Sequence, residues 1–167
     1  MLPEAAYYQE LIDSEVVVTN LKGIFNDHIS AHIMSYILTF ARGLHIYIPQ
    51  ANKKIWKDSW ETIYLPESTA VIVGVGGIGS ETARLCRAFG MTVLGLDRKV
   101  DIKSRYVSEV YSPAYLDEAL TLGDFVISTV PHTPETELMF NSKRFKLMKG
   151  NSYFINVGRG MVCSIDD

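Results

Sequence analysis

Short apolar runs alternate with helix-like patterns through the second half of the chain. The runs around Val71 and Val126 are continuously apolar, which is typical of strands in a sheet covered on both faces. We predict strands at Ala70–Val73, Thr92–Leu96, Val107–Tyr111, Phe125–Thr129 and Ser152–Asn156. We predict helices at Ile78–Phe89, Ala114–Leu120 and Ser142–Met148, with Gly90 and Gly150 at helix ends. Strands and helices that alternate with short connections indicate an α/β fold with a doubly wound parallel sheet.

The first half of the chain follows a different pattern, which changes near residues 60–66. We predict a short helix at Pro3–Ile12, a strand at Glu15–Thr19, and a long helix that begins at Asn26 or Asp27. One stripe of the long helix is apolar, and it consists of Ile29, Ile33, Ile37, Phe40 and Leu44. Met34, Leu38 and Ala41 widen the stripe, so we expect burial on two sides, between domains or against a second subunit. Pro49 should end or kink this helix.

Composition narrows the class of protein only a little. The chain has 167 residues, of which 47% are hydrophobic, and a formal net charge of −3. That charge gives no electrostatic footprint for nucleic acid or for an acidic membrane. The two cysteines, Cys86 and Cys163, lack the spacing of metal ligands, and Cys86 has apolar helical neighbours typical of a small buried residue. Without a disulfide framework, and without a signal sequence or apolar span, a cytoplasmic setting is the default expectation.

The segment Val71–Gly79 carries the pattern G-x-G-x-x-G between a predicted strand and a predicted helix. In this pattern Gly74 permits a tight turn, Gly76 lets the backbone approach a pyrophosphate, and Gly79 lets the helix pack closely on the sheet. The helix N-terminus adds partial positive charge. Asp97 ends the next strand about twenty residues later, where a carboxylate holds ribose hydroxyls. An ordinary strand-to-helix turn is the alternative, but this context favours a dinucleotide site.

Two further blocks follow predicted strand ends, where open parallel sheets bind ligands. The first is STVPHTPET, in which two prolines stiffen a loop and Thr136 offers a hydroxyl; an ordinary turn is the simpler interpretation. The second is INVGRG, in which Arg159 stands between two glycines. A guanidinium there suits a carboxylate beside a carbonyl, because its planar fork pairs with two oxygens. A surface arginine in a glycine turn is the alternative.

The chain resembles the D-isomer-specific 2-hydroxyacid dehydrogenases. The matching segments are VTNLKGIFND, ISAHIMSYILTFARGL, VGVGGIGSETARLCRAFGMTVLGLDR, DFVISTVPHTPETELMF and LMKGNSYFINVGRGMV. Their order and spacing match from about Val16 onward, over the middle half of a family member. The resemblance implies a Rossmann-type NAD-binding domain over 66–167, incomplete at its C-terminal end. It implies a partial substrate-domain segment over 1–65, with the long linker helix (28–44) helping to form a homodimer.

The resemblance also implies roles for individual residues. The residues that would contact the cofactor are Gly74, Gly76, Gly77, Ile78, Gly79, Asp97, Val130, Pro131, Thr136, Val157, Gly158 and Arg159. Of these, Gly77 and Ile78 would hold the pyrophosphate. Asp97 would hold the adenosine ribose, and Arg159 would bind the carboxylate of a small 2-oxo acid and polarise its carbonyl. A carboxylate at Asp97 repels a 2′-phosphate, so we expect NAD rather than NADP, although Arg98 and Lys99 follow directly.

The sequence departs from the family pattern in two ways. In the family a histidine transfers the hydroxyl proton and a glutamate holds that histidine; both would fall after Asp167. In addition, Ala31 replaces a family glutamate. His132 is the one histidine near the predicted crevice, and we expect it to contact cofactor or solvent. We therefore predict an NAD-dependent oxidoreductase that moves a hydride between a nicotinamide and a small D-2-hydroxy or 2-oxo acid. In isolation this chain should bind cofactor weakly without turnover; the alternative hypothesis is an NAD-sensing scaffold or corepressor.

Overall fold

One parallel β-sheet forms the centre of the protein. The computed structural model describes residues 8–19, 21, 23–101, 106–164 and 166. The strands within them are β1 (Thr69–Val73), β2 (Thr92–Leu96), β3 (Glu109–Tyr111), β4 (Phe125–Ser128) and β5 (Tyr153–Asn156). They lie in the order β3-β2-β1-β4-β5, and every pair is parallel. All five predicted strands of this half are therefore present, and each boundary agrees to within two residues.

Helices cover both faces of the sheet. They are α1 (Gln9–Ile12), α2 (Asn26–Ala41), α3 (Leu44–Asn52), α4 (Gly77–Ala88), α5 (Leu116–Leu122) and α6 (Ser142–Phe145). Successive residues of β1 face opposite sides, so Ala70 and Ile72 pack with α2 and α4. Val71 and Val73 pack with α5 on the other side. This arrangement confirms the predicted doubly wound sheet, and burial of both faces explains why its strands are continuously apolar.

Helix α2 packs along α4 and is shorter than predicted. Ile33, Ile37 and Ala41 are fully buried, as the apolar stripe predicted. The helix stops at Gly43, whose left-handed φ of 67° is accessible to glycine but costly for other residues. Leu44 therefore begins the separate helix α3 and is 41% exposed, so its predicted place in the buried stripe is wrong.

Three other sequence predictions, for Pro49, residues 15–19 and Gly150, also need correction, and a fourth falls partly outside the described residues. Pro49 does not end a helix, because it lies inside α3 and its carbonyl accepts the Lys53 N–H at 3.3 Å. Residues 15–19 form no strand, since no ladder joins them to another described segment. The predicted helix Pro3–Ile12 appears as α1, and its first residues fall outside the described part of the chain. Gly150 does not cap a helix, because α6 already ends at Phe145.

The buried sulfur of Cys86 confirms its predicted role as a small core residue. The side chain is fully buried between α4 and α2, with its Sγ 3.8 Å from the Sδ of Met34. This burial raises the pKa of the Cys86 thiol to about 12. Among the described helices, none combines the length and apolar character needed to cross a membrane.

Candidate cofactor site

Three loops meet at the carboxyl edge of the sheet. They follow β1 (residues 74–76), β4 (129–137) and β5 (157–159). Strand β1 pairs with β2 on one side and with β4 on the other. The strands after β1 are therefore added on one side of it up to β3 and on the opposite side from β4 onward, so the strand order reverses between β1 and β4. Open parallel sheets bind ligands at such a reversal. The fold thus brings the three sequence blocks that carry candidate chemistry to one crevice.

Each glycine of the β1 loop has its own structural reason. Gly74 has a φ of 97°, so an L side chain there would be strained. A methyl group on Gly79 would collide with the carbonyl oxygen of Gly74 and lie 3.2 Å from Cγ2 of Ile72. A methyl group on Gly76 would instead enter space with no protein atom within 4 Å. The turn and close packing are thus provided by Gly74 and Gly79, and the open approach for a ligand by Gly76.

Hydrogen bonds fix the β1 loop to its neighbours. The Gly74 N–H donates to the carbonyl of Leu96 at 2.7 Å, and the Thr129 hydroxyl donates to the Gly74 carbonyl at 2.6 Å. The Val75 N–H donates to Oδ2 of Asp97 at 2.8 Å. Because β2 and β4 both contribute partners, the loop is held from two sides before any ligand binds. Thr129, which the sequence pattern placed as the last residue of a strand without a role of its own, thus follows β4 and braces the loop.

Asp97 lies at the end of β2 and borders an open cleft of about 730 Å³. The cleft is lined by Val73, Leu96, Asp97, Arg98, Pro113, Leu116, Val130, Pro131, Thr133, Glu135, Thr136 and Met139. Oδ1 of Asp97 accepts the Lys99 N–H at 3.0 Å, and no ion pair among the described residues involves its carboxylate. Each carboxylate oxygen can accept a second bond, so Asp97 can still receive hydroxyl donors from the cleft.

The loop after β4 forms the opposite wall. Val130, Pro131 and Thr136, three of the residues that the resemblance assigns to the cofactor, line the cleft. The Thr136 hydroxyl does not point freely into it, however. It donates to the Pro131 carbonyl at 2.7 Å and accepts the Thr133 N–H at 2.8 Å, so it stabilises the loop. His132 is not among the lining residues; its Nε2 lies 3.8 Å from a carboxylate oxygen of Glu137.

The loop after β5 is shaped by Asn156, which the sequence analysis quoted but did not assign a role. Its Oδ1 accepts the Gly158 N–H at 3.0 Å, and its Nδ2 donates to the Arg159 carbonyl at 3.0 Å. Gly158 is required here because any β-carbon would collide with the carbonyl of Val130. The Arg159 side chain is exposed, and its Nη1 donates to the Gly158 carbonyl at 2.9 Å. The β5 loop therefore packs against the β4 loop and presents Arg159 at the crevice edge.

A buried polar contact sets the position of α4 against α2. The Ser30 hydroxyl donates to the carbonyl of Ile78 at 3.1 Å, and the Thr82 hydroxyl donates to Ser30 at 3.2 Å. Both side chains are fully buried. Buried hydroxyls are costly unless they are hydrogen-bonded, so these two hydrogen bonds favour one register between α2 and α4. The contact fixes the first turn of α4, which begins at the glycine loop.

These features suit a dinucleotide. The space at Gly76 lies beside the N-terminus of α4, where partial positive charge suits a phosphate, and the Asp97 carboxylate on the cleft wall suits hydroxyl donors. The apolar walls of the cleft suit a flat base. Fold and site together define a Rossmann-type dinucleotide-binding domain.

Comparison with known proteins identifies the family. Residues 34–167 match the family model described as D-isomer specific 2-hydroxyacid dehydrogenase, NAD binding domain. The chain therefore belongs to the D-isomer specific 2-hydroxyacid dehydrogenase family, as its resemblance had indicated. A glyoxylate reductase of Pyrococcus furiosus is 31% identical over 160 residues, covering 88% of this chain and 46% of that protein. D-3-phosphoglycerate dehydrogenase 1 of Saccharomyces cerevisiae is 40% identical over 137 residues, covering 80% and 28% respectively. The chain spans about half the length of the first of these relatives.

Solved structures of the family share the fold. A family member from Aeromonas salmonicida superimposes with a TM-score of 0.82 at 30% identity, covering 94% of this chain and 51% of that one. A D-lactate dehydrogenase from Aquifex aeolicus, complexed with NAD and lactic acid, gives 0.75 at 31% identity, covering 84% and 42%. An NADPH-dependent glyoxylate/hydroxypyruvate reductase from Sinorhizobium meliloti, complexed with NADP and sulfate, gives 0.78 at 29% identity, covering 89% and 48%. Relatives thus include both NAD and NADP complexes.

Proposed function

We propose that this chain forms the cofactor-binding part of an NAD-dependent D-2-hydroxyacid dehydrogenase. The observation that carries the proposal is the hydrogen bond that joins the glycine loop, open at Gly76, to the carboxylate of Asp97 on the cleft wall, from the Val75 N–H at 2.8 Å. A bound nicotinamide dinucleotide supplies or accepts the hydride. The protein holds the diphosphate on the amides of Gly77 and Ile78 and the ribose on Asp97. Val130, together with the β5 loop, closes the nicotinamide end.

Arg159 is the proposed substrate anchor. It stands on the β5 loop at the crevice edge, and one of its N–H groups donates to the Gly158 carbonyl. A guanidinium has five donors, so the remaining ones can pair with a carboxylate and an adjacent carbonyl oxygen of a 2-oxo acid. Withdrawal of electron density from that carbonyl assists hydride arrival at C2. Val157 and Gly158 would then flank the nicotinamide.

Charges at the cleft support NAD over NADP. Asp97 and Glu135 both line the cleft, and Arg98 is the one cationic side chain among the described residues that line it. The pKa of Glu135 is lowered by hydrogen bonding with Thr133 and, among weaker causes, by the charge of Arg98. Because two carboxylates and one guanidinium stand among the described lining residues, a 2′-phosphate beside them would meet net negative charge. Ribose hydroxyls, in contrast, can donate to Asp97.

Calorimetric titration with NADH and NADPH tests the cofactor assignment. We expect wild type to bind NADH more tightly than NADPH. Asp97→Ala should weaken NADH binding by about tenfold, which corresponds to loss of charge-assisted hydrogen bonds of roughly 1.4 kcal/mol, and should narrow the difference between the cofactors. Asp13→Ala, at an exposed carboxylate in a remote helix end, is the control. Negligible binding of both cofactors by wild type would contradict the proposal.

We also propose a homodimer formed through residues 28–44. The face of α2 away from α4 carries His32 and Tyr36, whose ring centroids lie 4.6 Å apart. Tyr36 is 40% exposed. Sedimentation should show a dimer for wild type and a monomer for Tyr36→Glu, whereas Thr121→Glu on α5 should remain dimeric. A monomeric wild type would contradict this proposal.

We further propose a cytoplasmic setting and the division into 1–65 and 66–167, with 1–65 contributing to a substrate domain.

A further inference from the structure

Asn26, the first residue of α2, places its side chain against the first residue of the glycine-loop helix. A β-carbon built on Gly77 would lie 2.5 Å from Nδ2 of Asn26 and 2.8 Å from its Oδ1. The carboxamide therefore lies against Gly77, the first residue of α4. Since Cα–Cβ bonds tilt toward the N-terminus of a helix, a group in contact with this position stands beside the N-terminal end of α4.

The placement of Asn26 follows from the helix register rather than from a flexible side chain. Asn26 lies one turn before Ser30, whose hydroxyl donates to the Ile78 carbonyl and accepts from Thr82. Residues four apart share a helix face, so fixing Ser30 on α4 also fixes Asn26 beside Gly77. The carboxamide is half-buried. Gly76 next to it faces space with no protein atom within 4 Å.

We propose that Asn26 is a further cofactor-binding residue, which donates a hydrogen bond from Nδ2 to a diphosphate oxygen held at the Gly76–Gly77 turn. The proposal deepens the proposed function and rests on it. An amide N–H donor suits this place because it adds no charge that would compete with the backbone amides. Its carbonyl oxygen can turn away from the phosphate, whereas a carboxylate has only acceptors. The geometry also accounts for Gly77, since any side chain there would displace the carboxamide.

The test compares Asn26→Asp and Asn26→Ala with Asn52→Asp, which makes the same change at an exposed position at the end of α3. Calorimetry measures NADH and ADP, and NMR titration measures adenosine, which lacks phosphate. We expect Asn26→Asp to weaken NADH and ADP binding tenfold or more, and Asn26→Ala to weaken both about three- to tenfold. Adenosine affinity should stay within about twofold for both variants, and Asn52→Asp should match wild type throughout.

The outcomes separate the two proposals. If wild type binds neither NADH nor ADP, the proposed function fails and this inference fails with it. If wild type binds both but Asn26→Asp binds ADP as tightly as Asn52→Asp does, only the role of Asn26 is refuted. If adenosine affinity falls as much as ADP affinity, Asn26 acts through the fold and the phosphate contact is refuted. Thermal unfolding midpoints of all variants show whether Asn26→Asp is folded; Asn26→Ala decides the question if it is not.

Discussion

Single methyl groups added to the glycine loop should separate folding from cofactor binding. At Gly79 the added carbon collides with the Gly74 carbonyl and lies 3.2 Å from Ile72 Cγ2, so α4 must move away from β1. At Gly76 the same carbon meets no protein atom within 4 Å, and the backbone φ of −74° is one that alanine adopts readily. The two substitutions are chemically identical and differ only in what the methyl group meets.

The magnitudes follow from these surroundings. Overpacking at Gly79→Ala costs about 1–3 kcal/mol, offset in part by the roughly 0.5–1 kcal/mol that alanine gains over glycine within a helix. The added carbon meets a backbone carbonyl rather than a flexible side chain, so the upper half of this range applies. The net loss is then about 1–2.5 kcal/mol, or a fall in Tm of roughly 2–10 °C for a chain of this size. Gly76→Ala should cost only about 0.5 kcal/mol, because alanine is a poorer helix N-cap than glycine. Its methyl group nevertheless occupies the approach of the diphosphate.

Thermal unfolding and NADH titration of both variants form the assay. We expect Gly79→Ala to lose stability and some affinity, and Gly76→Ala to retain stability but lose NADH affinity more than tenfold. Gly150→Ala is the control, because its methyl group also meets open space but lies away from the loop. NADH binding of wild-type strength by Gly76→Ala would refute the approach argument. Unchanged stability of Gly79→Ala would refute the packing argument.

Two further predictions concern the sheet edge and the core. Replacing Asn156 with alanine leaves the half-buried Gly158 N–H without its partner, which should cost about 1–2 kcal/mol in chemical denaturation; an unchanged unfolding free energy would exclude the bracing role. Cys86 has a folded pKa of about 12 against an ordinary value of 9.0, so its contribution to stability is complete below pH 9 and is lost as the pH rises toward 12. Between pH 8 and 10.5 the free energy of unfolding should therefore fall less steeply with pH for Cys86→Ala than for wild type. The two slopes should differ by up to about 1.4 kcal/mol per pH unit. Parallel pH curves for the two proteins would contradict the buried-thiol explanation.

The sheet was predictable because its residues are constrained locally. Continuous apolar runs near Val71 and Val126 reflect burial on both faces, which any sequence crossing such a sheet must satisfy. The strand boundaries accordingly agree to within two residues. The errors fall where the local pattern is ambiguous. The apolar stripe of α2 continues past Gly43 in the sequence, but the helix itself does not. Residues 15–19 have strand-like composition but no partner strand among the described residues. A strand exists only through pairing, and pairing is not local.

The candidate site divides in the same way. The glycine spacing and Asp97 were recognisable because each residue type answers a local backbone or charge requirement. The role of Thr129 depends on the carbonyl of Gly74 in another loop, whereas Asn156 and Thr136 make their hydrogen bonds within their own loops. Side-chain hydrogen bonds across loops leave little periodic signal in the sequence. They become visible only when the loops meet.

By itself, the order of residues determined the class of fold, the glycine turn after β1 and the acid at the end of β2. Periodic burial and the conformational freedom of glycine are properties of short segments, so they can be seen in the printed chain. The folded arrangement alone decided which distant groups come together. It placed Asn26 against Gly77, Thr129 against the carbonyl of Gly74 and Glu135 in the same cleft as Arg98. Those contacts join residues far apart in sequence, and helix register and sheet order, rather than local composition, bring them within reach of one another.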